Sequence, residues 1–301
     1  MGTEVTVTLW HDDRVQGQKA IAAAMAEMRR IDHAFSPYIE TSELAQINAK
    51  AAASVTPVSS ELAMLVGRSL HFSELSEGAF DITFASLGWY YDYRQHKQPS
   101  VEQKQTLLPA INYRFLQLDP AAPSLHFKHP NVRIDLGGIA KGYAVDRAIA
   151  LLQEMGVNHA TVSAGGDSRL LGDKLGRPWL IGIKNPRPGA HQPENVVLTM
   201  PLDNVAVSTS GDYERFFIDE QTGTRVHHII NPKTGESADE LMSATVLGPV
   251  ALDTDALSTT VFVLGVERGL QLINQLDQYD CILIDKRGRV HYSRGLQAPE
   301  S

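Results

Sequence analysis

The chain has one cysteine, Cys281, in 301 residues. No internal disulfide can form. Cys281 sits in the apolar run Cys281-Ile282-Leu283-Ile284 and reads as a buried strand residue. One cysteine does not settle the compartment, because many exported proteins lack disulfides. No apolar run approaches the ~20 residues of a membrane span, and no signal peptide is visible. An excess of positive charge is also missing. The formal net charge is −8, with basic residues scattered, which argues against a nucleic-acid partner. There is no Gly-Lys-Ser/Thr of a Walker A loop, no Gly-x-Gly-x-x-Gly, no nucleophile elbow and no internal repeat. What remains is an ordinary globular composition, 43 % hydrophobic and 21 % charged, enough for a real core.

The densest stretch is Arg133-Ile134-Asp135-Leu136-Gly137-Gly138-Ile139-Ala140-Lys141-Gly142-Tyr143-Ala144-Val145-Asp146. Val132 and Ile134 suit a strand end. Gly137 and Gly138 allow positive φ and close backbone approach. Ala144, Val145, Ala148, Leu151, Leu152 and Met155 recur at helical spacing up to Gly156. An acid, bare backbone and Lys141 thus share one strand-to-helix joint. Such a joint offers N–H groups and a positive helix end to a phosphate; packing alone would also account for the glycines.

Alternation predicts a strand over residues 4–10, and a helical stripe of Ile21, Ala24, Met25, Met28, Ile31 and Phe35 predicts a helix over residues 16–35. Ser42 begins a short helix, and Ser59 or Ser60 caps a longer one through Leu75. Residues 88–124 read as a peripheral, irregular segment. Short strands follow at residues 160–163, 179–183, 196–200, 205–208, 213–218, 226–230 and 243–247, with a turn at Ser210-Gly211-Asp212. Helices are expected over residues 253–265 and 268–276, then a hairpin around Lys286-Arg287-Gly288. This order predicts one α+β unit spanning 1–301, with antiparallel-rich sheets flanked by helices.

Asp255, Ser258 and Thr259 share a helix face by their i, i+3, i+4 spacing. They are hard oxygen donors, suited to Mg²⁺ rather than zinc. The competing reading is that Asp253 or Asp255 caps the helix. His227 and His228 are adjacent on a strand, so at most one faces a site. Zinc is disfavoured by the lone cysteine and the absence of His-x-x-x-His.

Together these pieces resemble the ApbE family of flavin transferases, the FAD:protein FMN transferases. The matching residues are Met1-Gly2-Thr3, Ser36-Pro37-Tyr38, Ser42-Glu43-Leu44 with Asn48, Gly78-Ala79-Phe80-Asp81 and Asp135 through Asp146. They continue through Ala164-Gly165-Gly166-Asp167, Ser210-Gly211-Asp212-Tyr213, His228-Ile229-Ile230-Asn231-Pro232-Lys233-Thr234-Gly235 and Asp255-Ala256-Leu257-Ser258-Thr259. Two positions depart from the family pattern. Asn231 stands where Asp is usual, and Ser258 where some members have Asp.

The resemblance implies a two-lobed catalytic unit that binds FAD and Mg²⁺. It moves FMN onto a threonine or serine hydroxyl of an electron-transfer protein and releases AMP. It places flavin contacts at Met1, Tyr38, Ala79, Phe80, Asp81, Asp135, Lys141, Ile229 and Ile230. Metal contacts fall at the Gly138 carbonyl, Asp255 and Thr259, with Ser258 adjacent. His228 is the first candidate for the base that accepts the hydroxyl proton; Asp255 is the second catalytic residue, through the metal. Members are typically exported, so a periplasmic site and a lipid anchor upstream are expected, with a cytoplasmic site as the alternative. Rival readings are FAD hydrolysis to FMN and AMP, a flavin-dependent oxidoreductase, and a non-catalytic FAD-binding assembly factor.

Overall fold

The computed structural model describes residues 2–187 and 196–297. Its helices are α1 (Arg14–Phe35), α2 (Glu43–Lys50), α3 (Ser60–Leu75), α4 (Ala85–Gly88), α5 (Val101–Leu107), α6 (Ala140–Glu154) and α7 (Ala251–Ile273). Its strands are β1 (Val5–Trp10), β2 (Thr56–Pro57), β3 (Leu116–Asp119), β4 (Ser124–Phe127), β5 (His159–Ala164), β6 (Asp167–Leu171) and β7 (Trp179–Lys184). They continue as β8 (Val196–Leu202), β9 (Ala206–Gly211), β10 (Phe216–Ile218), β11 (Arg225–His227), β12 (Leu241–Gly248), β13 (Asp280–Asp285) and β14 (Val290–Tyr292).

A seven-stranded sheet, in the order β1-β5-β6-β9-β12-β13-β14, carries the fold. Every neighbouring pair in it is antiparallel. At the edge, β1 alternates half-buried Val5, Val7 and Leu9 with exposed Thr6, Thr8 and Trp10, as a strand covered on one face should. Central β12 is buried at every residue, so both its faces are covered. α6 packs on β5 and β6, α7 on β9, β12 and β13, and the two helices pack on each other. The α1 face that meets this layer is Gly17, Ala20, Ala24, Met28, Ile31 and Phe35. Ile21, assigned to that stripe from sequence, is exposed; the steps of three and four run through Ala20 instead.

Several sequence expectations shift. Val132 and Ile134 join no sheet. The backbone bonds there go to side chains: Asn48 brackets Ile134, donating to its carbonyl at 2.9 Å and accepting from its N–H at 2.8 Å. Ser210 and Gly211 are not a turn but the end of β9, where Gly211 pairs with Ser243. Residues 88–124 contain α5 and β3, and Ala110 and Leu116 lie in the main core. The Tyr91 hydroxyl donates to the Gly235 carbonyl at 2.8 Å, which ties the segment down. The two expected C-terminal helices form one element, α7, broken at Gly265, whose φ of 77° a side chain would resist. α7 is long and apolar enough to cross a bilayer, yet here it is a core helix, mostly buried.

Candidate active site

The strand-to-helix joint is held by its glycines, though not through positive φ, which neither Gly137 nor Gly138 adopts. They serve close approach. A Cβ on Gly137 would stand 2.8 Å from Asp135 Oδ1, and one on Gly138 3.2 Å from the Phe80 ring and 3.5 Å from Thr259 Oγ1. Asp135 Oδ1 accepts the Gly137 N–H at 2.5 Å. Burial holds this carboxyl above its usual range against that hydrogen bond. The joint offers a phosphate fewer N–H groups than its sequence suggests. Ile139 and Ala140 donate to the Leu136 carbonyl, and Gly142 donates to Asp255.

Two residues along α6, Lys141 meets two buried acids from different elements. Its Nζ lies 2.7 Å from Asp167 Oδ2, at the start of β6, and 3.0 Å from Asp255 Oδ1 on α7. Asp167 is 1 % and Asp255 2 % exposed. Burial, then the Asp167 charge, push the Asp255 carboxyl up, while Lys141 and the Gly142 N–H pull it down. Burial would lower the Lys141 ammonium, but Asp167 and Asp255 together hold it above its ordinary value. The close partner of Asp167 Oδ2 is the ammonium.

Asp255 is not a helix cap. Asp146 of α6 caps α7, accepting from the N–H groups of Ala251 at 3.0 Å and Leu252 at 2.8 Å. Asp253 pairs instead with Arg68 and the Tyr279 hydroxyl. The polar face of α7 then runs along β9 as a row of hydroxyls. Ser208 meets Thr254 at 2.8 Å, and Ser210 meets Ser258 at 2.9 Å and Thr259 at 3.2 Å. Ser258 also donates to the Asp255 carbonyl, so its hydroxyl is engaged, whereas Thr259 lies beside Gly138.

Among the described residues, no three His, Cys, Asp or Glu side chains form a metal cluster. Asp255, Asp167, Thr259 and the Gly138 carbonyl are nevertheless all hard oxygens. The two carboxylates carry one charge more than Lys141 balances. That donor set fits Mg²⁺, provided a ligand's phosphate oxygens complete the shell.

The two histidines straddle the end of β11: His227 is its last residue, and His228 lies just beyond it, so the strand expected over residues 226–230 stops short. His227 is packed: Nε2 meets the Ala238 carbonyl at 2.7 Å, and the ring stands edge-on to Phe262. His228 Nδ1 is buried with no hydrogen-bond partner among the described residues. Burial, then Arg215, His227 and Lys141, push its imidazole down to about 3. It is therefore neutral at working pH, and the acidic limb that an ordinary histidine would give near its free pKa is displaced.

Tyr38 is 76 % exposed and stacks on Trp89 at 5.5 Å between ring centroids, with Arg133 5.2 Å over Trp89. This makes an aromatic shelf beside the joint. Asp81 turns inward, accepting from the Thr83 N–H and hydroxyl and from the Tyr113 N–H. The side chains of Ala79, Phe80, Ile229 and Ile230 are likewise buried, so contact with a ligand there falls to the main chain. Met1 lies outside the described residues.

Sequence reasoning missed Asp167, Trp89, Arg215 and the cap Asp146 as parts of the site or its frame. A glycine pair running into an acid was the available signal for Asp167. A Cβ on Gly166 would stand 2.4 Å from the Thr209 carbonyl oxygen, which shows how tightly that turn is set against β9.

The ApbE family model matches residues 1–283. The FAD:protein FMN transferase of Klebsiella pneumoniae (strain 342) is 30 % identical over 290 residues, covering 95 % of this chain and 87 % of the relative. That of Treponema pallidum (strain Nichols) is 32 % identical over 274 residues, covering 85 % and 74 %. Among solved structures, the ApbE protein of Thermotoga maritima superposes with a TM-score of 0.88 at 33 % identity, covering 98 % of this chain and 94 % of that one. The flavin transferase ApbE of Vibrio cholerae gives 0.85 at 26 % identity, with coverage of 98 % and 94 %. Family match, relatives and fold agree, and the chain belongs to the ApbE family.

Proposed function

We propose that this chain transfers the FMN half of FAD onto a threonine or serine hydroxyl of a target electron-transfer protein, with Mg²⁺ as cofactor and AMP as product. The observation that carries the proposal is the convergence of Lys141, Asp255, Asp167, Thr259 and Gly138 at the α6–α7 crossing. It occurs in a chain whose relatives are named FAD:protein FMN transferases. In the reaction the acceptor oxygen bonds to the FMN-side phosphorus. The bond from that phosphorus to the bridging oxygen breaks, AMP leaves with the electron pair, and the hydroxyl proton goes to a base.

The Tyr38–Trp89 shelf offers a ring face for the isoalloxazine to lie on. Lys141 supplies positive charge to the diphosphate. Mg²⁺, held by Asp255, Thr259 and the Gly138 carbonyl, would neutralise charge on the diphosphate. His228, neutral with an unpartnered Nδ1 but held down to about 3, is too weak a base to keep the proton, and its role is to orient the acceptor hydroxyl. We propose an exported acceptor and an exported site of action, with the cytoplasm as the alternative.

The test is incubation with FAD, Mg²⁺ and a candidate acceptor, followed by a denaturing gel. A flavin-fluorescent acceptor band that a chelator abolishes supports the proposal. A dark acceptor alongside released FMN and AMP would make the chain a hydrolase.

A further inference from the structure

We infer that Lys141 is a displaceable counter-ion at the Asp255 carboxylate, and that Asp167 is the positioning residue that keeps the ammonium when a metal takes Asp255. The inference rests on the Mg²⁺ reading above. Three elements each bring one member of the cluster: α6 brings Lys141, β6 Asp167 and α7 Asp255. The two acids are fixed. The Asp255 carboxylate is pinned by the Gly142 N–H at 3.0 Å, and Asp167 is anchored in the ladder opposite Ser208. Both carboxylate side chains are 2 % exposed, whereas the Lys141 side chain is 26 % exposed. The lysine is therefore the member with room to move, on a flexible four-carbon stem.

Two buried carboxylates without a counter-charge would be strongly destabilising. Lys141 removes that penalty in the metal-free protein. A divalent cation at Asp255 competes with the ammonium for the same oxygen, Oδ1, so like-charge repulsion weakens its binding. Asp167 Oδ2, already 2.7 Å from the ammonium, retains it when Asp255 turns to the metal. A bound diphosphate gives Lys141 a second partner. Metal and FAD should then bind cooperatively, each raising the affinity for the other.

The experiment is Mg²⁺ titration calorimetry and thermal unfolding of wild type and Lys141→Met, without FAD. The expected result is a lower thermal midpoint for Lys141→Met in chelator, recovered by Mg²⁺. Mg²⁺ affinity should rise on the order of tenfold or more over wild type. Equal or weaker Mg²⁺ binding by Lys141→Met would overturn the inference. Asp167→Asn guards against a variant that fails to fold. It leaves Lys141 wholly on Asp255, so Mg²⁺ should bind more weakly than to wild type; unchanged or tighter binding would again overturn it. If wild type binds no Mg²⁺ even with FAD present, the metal reading itself fails, which is a separate outcome.

Discussion

The Gly142 N–H reaches Asp255 Oδ2 at 3.0 Å because Gly142 has no side chain. A Cβ there would lie 2.8 Å from the Asp255 Cβ and 2.0 Å from the Ala251 carbonyl oxygen. The same close approach carries Lys141 to Asp255. Gly142→Ala must push α6 and α7 apart. Overpacking of this kind costs about 1–3 kcal/mol. The larger effect is expected in turnover, because Lys141 and Asp255 separate. Chemical denaturation and turnover measured on the same preparation check this; a folded Gly142→Ala protein with wild-type turnover would contradict it.

Asp146 tests the frame without touching the proposed chemistry. Its carboxylate caps α7 from a neighbouring helix, since α7 has no side-chain cap of its own. Asp146→Ala should lower stability by ~1 kcal/mol, within the usual 0.5–2 for a cap. The FAD affinity of the folded protein should stay close to wild type. Loss of FAD binding at unchanged stability would mean that Asp146 acts at the site itself.

For His228 the sign follows from its lowered pKa. The folded value is about 3, below the ordinary 6.5 or so of the unfolded chain. Between those values the unfolded chain binds a proton that the folded one refuses, so stability falls as pH drops through that window. His228→Asn removes this sensitivity, and its thermal midpoint should fall less than wild type's between about pH 7 and about pH 4. Turnover should drop by less than the ~10²–10⁴-fold of a matched general base, because an imidazole held at about 3 is a poor proton acceptor. An acidic limb near pH 6.5 in wild-type kcat/KM that vanishes in the variant would show an ordinary imidazole, against the burial described here.

Tyr38 is too exposed to be a core residue. Tyr38→Ala should therefore leave the thermal midpoint nearly unchanged while weakening FAD binding. Fluorescence titration of FAD against the variant decides between shelf and bystander. Wild-type affinity would remove Tyr38 from the flavin site.

Much of the fold was legible because local signals agreed with tertiary packing. Ser42 and Ser59 cap their helices as their spacing suggests, and β1 alternates as an edge strand should. The site was legible where chemistry and helical spacing coincide, as at Asp255 and Thr259. It was hidden where partners come from afar. Asp146 caps a helix more than a hundred residues later in the chain. Asn48 takes the place of a strand neighbour for Ile134, and Asp167 meets Lys141 only after β6 enters the sheet. No periodicity reports such pairings. The glycines were noticed, but their purpose at Gly137, Gly138 and Gly142 is proximity, which depends on what lies opposite.

Intact mass of the acceptor separates group transfer from hydrolysis. An acceptor protein is incubated with FAD and Mg²⁺ and either wild type or Asp255→Asn, and AMP is measured in parallel. Asp255→Asn keeps the side chain's shape while removing the charge at the α6–α7 crossing. Wild type is expected to add one FMN moiety to the acceptor, with AMP released in equal amount, and Asp255→Asn, still folded, to do neither. AMP release with an unmodified acceptor, or full transfer by Asp255→Asn, would contradict that expectation.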